Sequence, residues 1–201
     1  MGIPAMNDTI RYYDQHASEY FNSTVDVDFD QLRNKFVSFL PEHARIIDIG
    51  CGSGRDVKAF CEMGYQAIGL DASEGLAAEA EKQLGIEVQV GDMATWIAEA
   101  PFDGIWCCAA LLHLHEEGAT AFLQNLQHNL KPGGIVFLSV KEGIKTGPDE
   151  KGRYMHNYTK QELRKKLATA GLEILEIDTS EDSLGRGGFR WLNAFCKRKN
   201  L

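Results

Sequence analysis

The sequence predicts an α/β fold, with a buried, mostly parallel sheet covered by helices on both faces. Three observations carry this. Short β-branched runs alternate with segments of helical period. The strand-like runs are almost continuously apolar, as in strands covered on two sides. Most of them are separated by a helix, which parallel neighbours need as a crossover. Arg45–Ile49 is the first strand, and the helix 55–63 follows its glycine-rich turn. Gln66–Leu70 is the second strand, and the helix 73–84 opens on Ser73 as its cap. Ile86–Val90 and Phe102–Cys108 are the third and fourth strands, and a helix spans 117–130. Lys131-Pro132-Gly133-Gly134 is a turn into the fifth strand, Ile135–Val140. The helix 159–170 begins with a capping box, Thr159 to Glu162. Leu172–Asp178 and Phe189–Lys197 close the chain; no helix separates them, so they pair as an antiparallel hairpin. Residues 10–40 hold one or two helices, and the polar stretch 1–10 frays.

The composition sets limits on function. With 201 residues, 44% hydrophobic and 25% charged, the chain reads as one globular domain, not as a disordered, collagen-like or coiled-coil protein. The net charge of −8 argues against a dedicated binder of nucleic acid or anionic membrane. That charge is unevenly spread. Residues 1–140 carry 8 Lys/Arg against 20 Asp/Glu, whereas residues 141–201 carry 13 against 9. The basic C-terminal stretch is either a solvated surface or a site for an anionic substrate. Five cysteines without a CxxC pair, and no leader pattern, predict reduced thiols and a cytoplasmic protein. No apolar run reaches the roughly 18–20 residues of a membrane span. Oligomeric state has no signature in the sequence.

In such a sheet, ligands bind where the strands end. The first strand runs into Asp48-Ile49-Gly50-Cys51-Gly52-Ser53-Gly54-Arg55. Glycines at this turn let the backbone approach a ligand. A dinucleotide fingerprint needs glycine where Arg55 stands, which counts against an NAD(P)-dependent reductase, as does the lack of a Tyr-x-x-x-Lys pair. Asp48 is placed to receive backbone amides or to face a ligand ammonium. Asp71, at the end of the second strand, suits the vicinal hydroxyls of a ribose. Asp92, after the third, suits an exocyclic adenine amine, with Met93 packing on the ring. Any one carboxylate has the alternative role of helix cap; three at successive strand ends favour a nucleoside.

The stretches 48–56 (DIGCGSGRD), 69–73 (GLDAS), 91–93 (GDM), 102–114 (FDGIWCCAALLHL) and 130–140 (LKPGGIVFLSV) together resemble the class I S-adenosylmethionine-dependent methyltransferases. The resemblance covers about residues 45–140. It implies a Rossmann-like sheet of seven strands in the order 3-2-1-4-5-7-6, the last-inserted strand antiparallel, and S-adenosylmethionine as cofactor. It implies that Gly50, Cys51 and Gly52 line the methionine and ribose portions. Asp71 and its neighbour Ala72 then lie at the ribose, and Asp92 and Met93 at the adenine. Cys108 and Ala109 lie beside the transferred methyl. Arg55 either pairs with the cofactor carboxylate or lies on the surface. Residues 1–40 are then a helical cap, 45–140 the cofactor-binding core, and 141–201 the acceptor side. A cofactor-binding module without turnover is the non-catalytic alternative.

Methyl transfer to a small-molecule acceptor is the expected reaction, since no large insertion serves a macromolecule. His113, at the mouth after the fourth strand, is the candidate general base, and a hydrogen-bonded packing role is its alternative. His113 and His115 lack further ligands at metal-binding spacing, so no metal is expected. Cys107 and Cys108 point to opposite faces of a strand as core residues. Tyr12, Tyr13 and Tyr20 lie on an N-terminal helix that the resemblance places over the cofactor, with Tyr20 at the cofactor and Tyr13 at the acceptor; a hydrophobic staple against the sheet is their alternative role. Residues 141–158 form an 18-residue loop, a length that usually marks function. Lys141, Arg153 and Arg190 either surround an anionic acceptor, with Tyr154 and Trp191 as its walls, or belong to a solvent-exposed loop and a structural hairpin.

Overall fold

The computed structural model describes residues 4–199, with side chains from residue 8 onward. Seven strands form one sheet: β1 (Arg45–Ile49), β2 (Gln66–Asp71), β3 (Val88–Val90), β4 (Phe102–Cys108), β5 (Leu130–Lys141), β8 (Leu172–Glu181) and β9 (Arg190–Arg198). Their order is β3-β2-β1-β4-β5-β9-β8. The first five run parallel, and β9 is antiparallel to both β5 and β8. Counting only these strands, this is the expected 3-2-1-4-5-7-6 order.

The helices are α1 (Pro4–Gln15), α2 (Ala17–Thr24), α3 (Asp30–Val37), α4 (Arg55–Glu62), α5 (Glu74–Leu84), α6 (Glu116–Asn129) and α7 (Lys160–Thr169). Alternation along the strands sends side chains to two cores. Ile46, Trp106, Phe137 and Phe195 pack with Phe36 of α3 and Phe60 of α4 on one face. Ile47, Ile105, Cys107, Val136, Leu138 and Cys196 pack with α6 and α7 on the other. Cys107 is fully buried in the second core and Cys108 packs against the first, so the adjacent thiols do face opposite ways.

Several elements differ from expectation. The N-terminal segment holds three helices, not one or two. Residues 1–3 of the expected frayed end lie outside the described residues, and from Pro4 the chain is helical. The 18-residue loop contains a two-stranded antiparallel ribbon, β6 (Thr146–Pro148) with β7 (Tyr154–His156). Fully buried Tyr158 anchors it, its N–H donating to Lys141 O at 2.8 Å. The Lys131–Gly134 turn is an irregular start to β5, whose Leu130 already pairs with Phe102.

Two caps follow the sequence. Ser73 Oγ accepts from Leu76 N, and Thr159 Oγ1 from Glu162 N, both at 3.1 Å. The reciprocal half of the second capping box is absent, because the Glu162 carboxylate accepts instead from His156 Nε2 at 2.8 Å. Asp14 of α1 accepts from Ser73 Oγ at 2.6 Å and from Gly75 N at 3.0 Å. The first helix is thereby tied to the start of α5, above the strand ends.

Candidate functional site

Two joined cavities lie at the carboxyl ends of β1 to β4. The larger spans about 700 Å³ including the open space at its mouth. The smaller encloses about 280 Å³. Every residue expected at the cofactor lines one or both. Gly52, Asp71, Ala72, Asp92, Met93 and Ala109 line the larger, and Asp48, Cys51 and Arg55 the smaller. Gly50, Tyr20 and Cys108 lie between and line both.

The glycine turn shows why this sequence is needed. Gly50 has φ +73°, and a Cβ there would meet Ala110 Cβ at 2.3 Å. At Gly52, φ +55°, a Cβ would come within 3.0 Å of Tyr20 Cε1, so the tyrosine ring lies directly on the turn. Across the cavity, Ala109 holds φ +57°, a left-handed conformation costly for a residue with a side chain.

Asp71 braces the turn. Its Oδ2 accepts from Gly52 N at 2.8 Å and its Oδ1 from Ser73 N at 2.9 Å, leaving further lone pairs on the cavity side. Burial nonetheless raises its pKa. Asp92 closes a local turn, accepting from Ala94 N at 2.8 Å through Oδ1. Asp48 differs from both. It is 2% exposed and has no hydrogen-bond partner among the described residues. Burial, reinforced by the charges of Asp56 and Asp71, pushes its carboxyl well above the carboxylate range. Of its two expected roles, the receiver of backbone amides is therefore not the one found.

Arg55 is not a surface residue. Its Nε and Nη2 donate to Asp56 at 3.1 and 2.6 Å, and its guanidinium lies 4.0 Å from the Phe29 ring centroid. Asp56 also accepts from Arg33 and, at 3.0 Å, from Trp106 Nε1. This buried network holds α3 and α4 against the sheet and aims Arg55 at the smaller cavity. Burial pushes the Cys108 thiol between the cavities up to about 12, so it stays protonated.

His113 has both ring nitrogens engaged. Nδ1–H donates to Tyr154 O at 2.8 Å, which leaves Nε2 to accept from the Tyr13 hydroxyl at 3.0 Å. This tautomer follows from the bonding pattern. Arg153 Nη1 donates to the same Tyr13 oxygen at 3.0 Å. Burial lowers the His113 pKa to about 4 and raises that of Tyr13 to about 12, so both are neutral at pH 7. This is the hydrogen-bonded junction arrangement, and no bare base nitrogen faces the cavity. His115 turns elsewhere, stacking on Tyr154 at 3.7 Å, so the two histidines do not converge.

The expected acceptor residues do not converge on the cavities. Tyr13 lines the larger one; Lys141, Arg153, Tyr154, Arg190 and Trp191 line neither. Arg153 pairs with Asp149 at 2.6 Å, and Arg190 with Glu142 at 2.8 Å. Tyr154 serves the fold: its N–H donates to Thr9 Oγ1 at 2.9 Å, docking the ribbon on α1. Trp191 Nε1 donates to Asp182 at 3.0 Å. Only Lys141 of the three expected cations has no ion-pair partner among the described residues. Sequence reading missed Thr9, Ile10 and Thr24 in the cavity walls; the one-turn spacing of Thr9 and Tyr13 along α1 is the signal that places them on one face.

Comparison with known proteins accords with this geometry. Residues 46–134 match a family model described as a methyltransferase domain. Trans-aconitate 2-methyltransferase of Methylobacterium nodulans is 31% identical over 104 residues, covering 50% of this chain and 40% of that protein. Ubiquinone biosynthesis O-methyltransferase of Xanthomonas campestris pv. campestris is 31% identical over 103 residues, covering 48% and 42%. The matches thus span about two-fifths of the length of these curated relatives. Among solved structures, Burkholderia thailandensis 1,6-didemethyltoxoflavin-N1-methyltransferase, with bound 1,6-didemethyltoxoflavin and S-adenosylhomocysteine, superimposes with a TM-score of 0.78. It is 20% identical, and the match covers 99% of this chain and 92% of that one. The [4+2]-cyclase SpnF shares the fold at a TM-score of 0.69, with 17% identity and coverage of 85% and 81%. At these identities the likeness shows the fold, and the site must carry the function.

Proposed function

We propose that this chain, whose residues 46–134 carry the class I S-adenosylmethionine-dependent methyltransferase pattern on that family's fold, transfers a methyl group from S-adenosylmethionine to a small-molecule acceptor. One observation carries the reading. The joined cavities set a carboxylate with lone pairs to spare, Asp71, apart from a buried carboxylate lacking a partner, Asp48, with Arg55 beside it. A ligand with a diol at one end and an amino acid at the other satisfies both. Asp71 accepts from the ribose hydroxyls, Asp48 takes the ammonium, and Arg55 offers its charge to the carboxylate. Asp92 and Met93 meet the adenine, and Tyr20 closes over Gly52.

When bound, S-adenosylmethionine supplies a methyl group made electrophilic by its sulfonium. The protein's contribution is placement and exclusion of water, which are worth up to about 7–11 kcal/mol in favourable cases. Tyr13, Tyr20 and the α1 wall shield the reacting centre. His113 acts here as a positioning residue, fixing Tyr13 through Nε2. The ordinary acceptor then presents a lone pair without first losing a proton to the ring. The basic surplus after residue 140 supports an acceptor with negative charge, and the five thiols, none in a disulfide, support a cytoplasmic setting. Among the described residues, no helix is long and apolar enough to cross a membrane.

The test is a metabolite-library screen that reads formation of S-adenosylhomocysteine, run beside calorimetry of S-adenosylmethionine binding. Binding with turnover supports the proposal. Binding without turnover on any acceptor indicates a sensing module, and absence of binding refutes the cofactor assignment. Asp71→Ala should weaken binding at least tenfold, the loss expected from removing about 1.5–3 kcal/mol of charge-assisted hydrogen bonding.

A further inference from the structure

We infer that a cationic rim built on the Phe189 ring, with Lys141 and Arg186 as its charges, binds an oxyanion group of the acceptor, carboxylate or phosphate, at a distance from the methylated atom. The inference rests on the methyltransferase reading for the word acceptor, and on the rim's own geometry for the anion. β5 ends at Lys141, paired with Trp191, and β8 ends at Glu181, paired with Arg190. The turn 182–189 therefore emerges at the same end of the sheet as the two cavities.

That turn is built around one carboxylate. Asp182, its side chain 3% exposed, accepts from Arg186 N at 3.0 Å, Arg186 Nε at 2.9 Å, Arg186 Nη2 at 2.7 Å and Trp191 Nε1 at 3.0 Å. These bonds leave Arg186 Nη1 uncommitted. The Phe189 ring then gathers two cations, with Lys141 Nζ at 3.6 Å and Arg186 Cζ at 5.4 Å from its centroid. Ring faces attract cations, but two on one ring repel each other. Burial chiefly, and then the positive charges of Arg186 and Lys145, lower the Lys141 pKa. Asp182 and Asp149 offset this only in part, since Asp149 is shared with Arg153 and Asp182 with Arg186, while Glu142 pairs with Arg190, and none of the three forms an ion pair with Lys141. An anion seated between Lys141 and Arg186 Nη1 would complete the offset.

The cavity itself takes no such group. Its only ionisable acids and bases beyond tyrosine, cysteine and neutral His113 are the carboxylates Asp71 and Asp92, which repel an anion. The rim and the cavities share one end of the sheet, and the charge of Arg186 is felt at Tyr20 and Arg153. The acceptor inferred from this is bipolar, with an uncharged reacting end in the larger cavity and an oxyanion outside it.

The experiment titrates the full chain with benzoate, benzamide and inorganic phosphate, in wild type, Lys141→Gln, Arg186→Gln and Lys141→Arg. S-adenosylhomocysteine is titrated in parallel. The expected result is saturable binding of benzoate or phosphate at least tenfold tighter than benzamide, weakened at least tenfold in Lys141→Gln and Arg186→Gln. Lys141→Arg restores it, and affinity for S-adenosylhomocysteine stays the same throughout. The stronger anion identifies the oxyanion as carboxylate or phosphate. Equal binding of benzoate and benzamide, no saturable binding of either anion, or indifference to Lys141→Gln overturns the inference. Failure of S-adenosylhomocysteine to bind is a separate result that strikes only the methyltransferase reading.

Discussion

If the proposed function holds, Asp48 makes cofactor binding a proton-linked event. Its carboxyl is buried, lacks a hydrogen-bond partner among the described residues, and has its pKa pushed well above the usual range. In the free protein it therefore keeps a proton at pH values where an ordinary aspartate has lost it. A ligand ammonium placed beside it favours the ionised form, so the pKa falls on binding and a proton leaves. Each unit of that fall is about 1.36 kcal/mol of added attraction. The release approaches about one proton per chain between the bound and free pKa values, and affinity there rises by up to about tenfold per pH unit. Calorimetry in phosphate and in Tris, which differ in ionisation enthalpy, reads the proton count directly from pH 5 to 8. Asp48→Asn should bind more weakly and release correspondingly less. Tight binding with no buffer dependence at any of these pH values would refute the reasoning.

Three further outcomes follow from geometry. Asp56→Ala leaves the guanidinium groups of Arg33 and Arg55 and the Trp106 indole N–H without their shared acceptor, and should cost about 3–5 kcal/mol in urea unfolding; an unchanged midpoint counts against the network. Gly50→Ala adds left-handed strain of about 1–2 kcal/mol and a contact with Ala110 worth about 1–3 kcal/mol more, read as a fall in Tm of several degrees. A melting point equal to wild type would show that the turn relaxes freely. His113 has a folded pKa of about 4 against 6.5 unfolded. The folded state binds fewer protons between these values, so its stabilisation is present above pH 6.5 and lost as pH falls towards 4. The loss is at most about 3 kcal/mol, and His113→Gln should flatten that part of the stability profile.

The strand-end cavities were legible because they depend on local pattern. A buried parallel strand, a glycine turn and an acid at the strand end are all written within a few residues, and sheet topology brings the ends together. Asp48, Asp71 and Asp92 thus fall where expected. The acceptor side depends on pairings that no short window contains. Tyr13 meets His113 across 100 residues of sequence and Arg153 across 140. Arg190 is withdrawn from the expected site by Glu142 on the adjoining chain segment, and Arg153 by Asp149 within the ribbon turn. Arg186 stands in the glycine-rich stretch Gly185-Arg186-Gly187-Gly188. Its role depends on Asp182 fixing the turn and on Phe189 holding Lys141 beside it.

The reversed direction of β9 divides the molecule's labour. A parallel strand presents only its trailing loop at this end of the sheet, with a helix behind it that the core requires. The β8–β9 hairpin presents a bare turn, 182–189, hung from two strands whose ladder runs back to Leu172 and Arg198. That turn can lengthen, shorten or change composition without touching a crossover helix, the glycine turn or the three strand-end aspartates. On the proposed reading, acceptor choice can diverge there while cofactor affinity stays constant, which makes the hairpin tip the natural place to graft new specificity.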